Sequence, residues 1–194
     1  MRIGLFGGSF NPIHNAHVQL ANIICREAQL DEVWFMVTPH NPLKQQQGLM
    51  DENDRLQMVT LALENEPHLK PCDYEFHLER PSFTWNTLQH LSKDYPQHEF
   101  HIIIGGDNWA LFHKWARHED ILRNYHIIVY PRKDSETDTD SMPSNVTVIA
   151  MPEMNISSTM VREKLAKGED ISRLVCPKVE QFLVRISENK KIKS

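Results

Sequence analysis

Two short stretches of this chain, "HIIIGG" (101–106) and "HIIVY" (126–130), are apolar at nearly every position. A strand with one wet face alternates apolar and polar residues; a strand that does not alternate has both faces covered. Residues 3–6 and "EVWFMVT" (32–38) read the same way, "CDYEFHL" (72–78) alternates like a strand, and "VTVIAM" (146–151) is expected as one more. Between them apolar residues recur at helical spacing: Leu20, Ile23, Ile24 and Ala28, then Leu56, Val59 and Leu63 within 52–65. The segment 82–95, "SFTWNTLQHLSKDY", opens on a hydroxyl suited to cap a helix. Strand and helix in alternation along one chain require right-handed crossovers. The expected fold is α/β, a doubly wound parallel sheet with helices on both faces.

The carboxyl-terminal part reads as helical. "SSTMVREKLAKG" closes at Gly168, and in "CPKVEQFLVRISEN" the residues Val179, Phe182, Leu183 and Ile186 make an apolar stripe for the core. The polar, acidic stretch 132–145 reads as a mobile surface loop, and "NKKIKS" as a frayed tail. Residues 1–190 are expected to form one domain, with about 152–190 its helical part and 191–194 a tail. Acids outnumber bases by 26 to 21, a net charge of −5. That balance argues against a general nucleic-acid or membrane-surface binder, yet it leaves room for a small phosphorylated ligand in a local basic pocket. Cys25, Cys72 and Cys176 lie far apart with no Cys-x-x-Cys, the usage of small apolar residues in a reducing compartment. No apolar run approaches the ~18 residues of a membrane span, and glycines follow the first strand too soon for a signal peptide. A soluble cytoplasmic protein is the expectation.

In a parallel sheet, ligands sit beyond the carboxyl ends of the strands. The first strand ends at Gly7, so "GSFNPIHNAH" (8–17) occupies that place. Gly7 and Gly8 let a phosphate approach backbone N–H groups, and a helix starting near Asn15 or Ala16 offers free amides and a positive dipole end. His14 and His17 would sit at the mouth of that helix, each able to donate to phosphate oxygen. Other readings compete. Gly4, Gly7 and Gly8 do not match G-x-G-x-x-G, which disfavours a dinucleotide oxidoreductase, and His14 with His17 lacks the H-E-x-x-H spacing of a zinc site. Histidines satisfied structurally at a helix start are the plain alternative.

A second motif near the other end shifts that balance. "NISSTMVREKL" puts Ser157 and Ser158 at a helix start and Arg162 four residues after Ser158, on the same face. Hydroxyls, helix amides and a guanidinium make a second anion pocket, although capping alone would account for the serines. Two such pockets suit a triphosphate spread between two helix ends.

Together "GSFNPIHNAH" and "ISSTMVR" resemble the adenylyltransferases of the nucleotidylyltransferase superfamily. With "PHNPLK", "DRLQMV", "SFTWNTL", "IIIGGDNW" and "HKW" in the same order, the chain looks like the bacterial nicotinate-nucleotide adenylyltransferases nearly end to end. It departs at Ala16, where the pattern usually has glycine. The resemblance implies a Rossmann-like sheet and adenylyl transfer from ATP to nicotinate mononucleotide in NAD synthesis, with no nucleic acid or membrane involved and with homo-oligomerisation left open. It implies catalytic roles for His17, His14 and Lys44. ATP would meet Gly7, Gly8, Ser9, Phe10, His14 and His17, then Gly105 and Asp107, and at the far end Ile156, Ser157, Ser158 and Arg162. The acceptor would meet Ser9, Lys44, Thr84 and, by ring stacking, Trp115. Arg55 would orient the lysine's loop, reach phosphate, or sit on an ordinary helix surface. Magnesium would ride on the ATP phosphates without a dedicated protein cage. Two other readings are a related transferase such as the phosphopantetheine enzyme, and a regulatory module that binds nucleotide without turnover.

Overall fold

A computed structural model describes residues 1–39, 48–131 and 142–192, with side chains through residue 188. Lys44 and most of the acidic 132–145 stretch lie outside the described residues. Six strands, β1 (Arg2–Gly8), β2 (Glu32–Val37), β3 (Leu69–Cys72), β4 (Glu99–Gly105), β5 (His126–Tyr130) and β6 (Val146–Val148), pair in parallel in the order β3-β2-β1-β4-β5-β6. The described helices are α1 (Asn15–Glu27), α2 (Glu52–Leu63), α3 (Thr84–Asp94), α4 (Gly106–Ala110), α5 (His118–Asn124), α6 (Ser158–Lys167) and α7 (Pro177–Ile192). The fold is α/β and Rossmann-like, as the apolar runs require.

The missing alternation in the strands has a direct cause. Phe6, Val33, Phe35, Val37, Ile103, Ile128 and Tyr130 face one core, which α1, α2, α6 and α7 complete. Their chain neighbours Leu5, Met36, Ile102, Ile104, Ile127 and Val129 face the other, closed by Leu88 and Leu91 of α3 and Ile121 of α5. Both faces of the sheet are dry, and each fully buried aliphatic side chain contributes about 1.5–3 kcal/mol. α1 buries Ala16, Leu20, Ala21, Ile24 and Cys25 on its inner side. The carboxyl-terminal segment grips the start of α1: the Asn15 N–H donates to the Leu174 carbonyl at 2.8 Å, and Asn15 Nδ2 donates to that of Arg173 at 3.2 Å.

Four local expectations change. The strand expected over 72–78 ends at Cys72, and Tyr74–His77 is a 3-10 turn. Strand β3 is an edge of the sheet, so little holds the chain in register beyond Cys72, and Glu75 turns inward to meet hydroxyls. The strand expected over 146–151 stops at Val148 on the opposite edge. The hydroxyl cap expected at the start of α3 is not made: Phe83 is the N-cap residue, and Ser82 Oγ donates to Glu75 instead. Helix α7 runs on to Ile192, into the expected tail, because "NKKI" holds no glycine or proline to stop it. Among the described residues, no helix is long and apolar enough to cross a membrane.

Candidate active site

Strands β2 and β4 lie on opposite sides of β1, so the chain leaves the sheet in opposite directions beyond the carboxyl ends of β1 and β4. That divergence opens a crevice, and a cavity of 380 Å³ occupies it. Gly7, Gly8 and Ser9 line it from β1, Asp107 from α4, Thr84 from the start of α3, and Trp115 from the segment before α5. Six residues picked from four separate motifs therefore share one wall system. Asp107, expected at the end of a strand, is the second residue of α4; the strand stops at Gly105, and Gly106 begins the helix.

The glycine turn has two different uses for its glycines. A Cβ on Gly7 would meet nothing within 4 Å, so open space lies over that backbone. A Cβ on Gly8 would stand 2.9 Å from the Phe10 ring, which makes this glycine a packing requirement. Phe10 has φ +43 and turns its ring into the core, edge-on to Phe6 at 5.5 Å and to His17 at 5.2 Å. Its ring is buried away from the crevice, leaving only its backbone to face a ligand.

Helix α1 begins with the two histidines interlocked. His14 is the N-cap residue, its ring stacks on that of His17 at 3.7 Å, and its backbone N–H donates to His17 Nδ1 at 3.2 Å. An imidazole that accepts at Nδ1 carries its proton on Nε2 when neutral. His17 is thereby fixed as a donor through Nε2, beside the amides of a helix that has no acidic residue in its first turn. The pair caps the helix and sets the tautomer of His17 at once.

The far motif reaches this loop. Ser157 is the N-cap residue of α6 and accepts from the Met160 N–H at 3.2 Å. Ser158 Oγ donates to the Pro12 carbonyl at 2.9 Å, and Arg162 Nη1 donates to the Asn11 carbonyl at 2.7 Å across 151 positions of sequence. Ile156 is half-buried and packs on the α1 side of the core. Arg162 also donates to Thr159 Oγ1 at 3.1 Å, which fixes its fork over the loop. Gly105 is the N-cap residue of α4, and its partner across β4 and β5 is Tyr130.

Arg55, the largest of the fully buried side chains, is 1% exposed. Its Nε donates to the Met50 carbonyl at 3.0 Å, Nη1 to those of Ser9 and Thr38 at 2.8 Å each, and Nη2 to that of Pro39 at 3.0 Å. One guanidinium thus pins the ends of β1 and β2 and the entry to α2. The reading of Arg55 as an ordinary surface residue is overturned: its fork faces in because four carbonyls converge there. Asn11 does similar work with its amide, donating to the Gly48 carbonyl at 2.9 Å and accepting from the Met50 N–H at 3.1 Å.

Sequence reasoning passed over several residues of the crevice. Glu75, Ser82, Phe83, Thr87, Asn108, Leu111 and Lys114 line the cavity, and Asn11 braces the loop above it. Phe83 and Leu111 are large apolar side chains left exposed at its rim, a signal that needs coordinates to see. Among the described residues, no group of three His, Cys, Asp or Glu side chains could hold a metal ion.

A sequence model of the cytidylyltransferase-like family matches residues 5–164. The chain is 47% identical over 188 residues to a protein of Bacteroides fragilis named as a probable nicotinate-nucleotide adenylyltransferase, covering 97% of this chain and 94% of that one. It is 45% identical to a protein of the same name from Flavobacterium johnsoniae, covering 94% and 96%. In fold it is similar to the nicotinic acid mononucleotide adenylyltransferase of Plasmodium falciparum complexed with NaAD, with a TM-score of 0.80, 22% identity and 95% of each chain covered.

Proposed function

We propose, because the chain belongs to the cytidylyltransferase-like family and within it to the nicotinate-nucleotide adenylyltransferases, that it joins ATP to nicotinate mononucleotide, giving nicotinate adenine dinucleotide and pyrophosphate. The phosphate of the mononucleotide attacks the α-phosphorus of ATP; the new P–O bond forms as the bond to the bridging oxygen breaks. The nucleophile is already an anion, so the reaction needs no general base and no covalent intermediate. It needs alignment and neutral surroundings for spreading charge.

The observation that carries this reading is the pair of hydrogen bonds from Ser158 and Arg162 to the Pro12 and Asn11 carbonyls. They put the starts of α1 and α6 against one loop, so one polyphosphate can span both. His17 donates through Nε2 at the reacting phosphate, with His14 stacked behind it. The acceptor fills the cavity between Thr84 and Trp115, with its phosphate turned toward Ser9. Lys44, by the same family likeness, would offset charge on the reacting phosphates. A magnesium ion carried on the ATP phosphates would offset their negative charge, without a dedicated protein cage.

An acceptor panel tests the reading. The protein is mixed with ATP, magnesium and one acceptor at a time, and pyrophosphate is followed. Release with nicotinate mononucleotide, and little with phosphopantetheine, is the expected result. Release with phosphopantetheine alone, or ATP binding with no release at all, would overturn it. Chelating magnesium should stop turnover, and added magnesium should restore it.

A further inference from the structure

One carboxyl in the acceptor cavity has no part in the reaction as written. Glu75, in the 3-10 turn after β3, is 7% exposed and lines the cavity. Thr87 Oγ1 donates to its Oε1 at 3.0 Å, and Ser82 Oγ donates to its Oε2 at 3.3 Å. The Thr38 hydroxyl lies near enough to favour the charged form of Glu75 as well. These hydroxyls come from the chain just past β2, from the segment before α3, and from α3 itself, and all three residues line the same cavity. Burial pushes the Glu75 carboxyl above its ordinary value, and the hydroxyls pull it partly back.

A carboxyl buried without a cation costs free energy that an apolar side chain would not. What it gives here is geometry. Ser82 gives its one proton to Glu75, and Thr87 Oγ1 divides its proton between Glu75 and the Phe83 carbonyl at 3.3 Å, so both oxygens turn lone pairs toward the cavity. The start of α3 is held at a set distance from β2, with Phe83 and Thr84 in fixed positions on the cavity wall.

We propose that Glu75 is a positioning residue of the acceptor subsite, holding the Thr38, Ser82 and Thr87 walls so that the mononucleotide, and not ATP, feels its loss. This rests on the acceptor reading above. Glu75→Gln keeps the shape but replaces one accepting oxygen with a donor, so at least one hydroxyl must turn away. The expected result is a KM for nicotinate mononucleotide raised roughly tenfold, with the KM for ATP within about twofold and kcat within about threefold. Thr87→Ser, which keeps the hydroxyl, should stay near wild type, and Thr87→Val should reproduce the rise. The Thr87 pair also decides the matter if Glu75→Gln fails to fold. Both KM values rising together, or Ser and Val behaving alike, would overturn the inference. A wild type silent toward nicotinate mononucleotide overturns the acceptor reading and this inference with it. An active wild type whose variants leave the acceptor KM unmoved overturns this inference alone.

Discussion

His17 and Arg55 show how much one side chain is asked to do. His17 accepts the His14 N–H through Nδ1, which leaves its neutral proton on Nε2. His17→Ala should lower kcat by roughly 10²–10³-fold, about 3–4 kcal/mol of barrier, by analogy with a lost oxyanion donor. ATP affinity, read by equilibrium binding, should change far less; equal losses in the two would make His17 a ground-state anchor only. Arg55→Ala removes four hydrogen bonds, one to each of the carbonyls of Ser9, Thr38, Pro39 and Met50. Its expected cost is about 3–5 kcal/mol in urea unfolding, because the carbonyls stay buried and lose their partner. The place of the histidines at the start of α1 is legible in the sequence, because a glycine turn followed by a helical period fixes where that helix begins. Arg55 is only half legible: "DRLQMV" marks its helix, but an arginine on a helix reads as exposed until the converging carbonyls are in view.

Helix α6 acts as a brace for the loop between β1 and α1. Its first and fifth residues, Ser158 and Arg162, stand one turn apart and reach successive carbonyls of the loop. Arg162→Lys keeps the charge but loses the fork that joins Asn11 and Thr159. Steady-state kinetics should show kcat/KM for ATP falling about tenfold or more, with the melting temperature little moved. Helix α3 went the other way from its sequence. Its start holds Ser82 and Thr84, and hydroxyls there usually cap. Glu75 captures the Ser82 proton because a buried carboxyl is the stronger acceptor, and propensity had no means of placing Glu75 nearby.

Across the whole sheet, the amino ends of β4 and β5 hold a second arrangement, remote from the crevice. His101 is 1% exposed, with Nε2 3.1 Å from Glu99 and its ring 5.3 Å from that of His126. Burial, followed by Arg2 and His126, lowers its pKa, and Glu99 only partly opposes that; His126 is lowered by burial and Arg2 as well. For a base whose folded pKa is depressed, the unfolded chain binds the proton more tightly. Its stabilising contribution is full above the unfolded value of about 6.5 and is lost as pH falls through the folded value. Glu75, with its pKa raised, has the opposite sense, losing its contribution as pH rises above the ordinary carboxylate range. The check is therefore a difference: urea unfolding at pH 7.5 and 5.5 (about a unit either side of 6.5) should show a larger acid loss in wild type than in His101→Asn. Equal losses would place the acid sensitivity elsewhere.

Local pattern carried the architecture. Runs without alternation demand cover on both faces, alternation of element types demands parallel crossovers, and a glycine turn after the first strand must then lie at the sheet's carboxyl edge. Those inferences need only neighbours within a few residues, which is why they were readable along the chain. The contacts between Arg162 and Asn11, between Arg55 and the ends of two strands, and between Glu75 and the hydroxyls of Ser82 and Thr87 join positions that only folding brings together. A hydrogen bond depends on distance and angle in space, and no spacing in the chain encodes which of several possible partners will be nearest once both cores have closed.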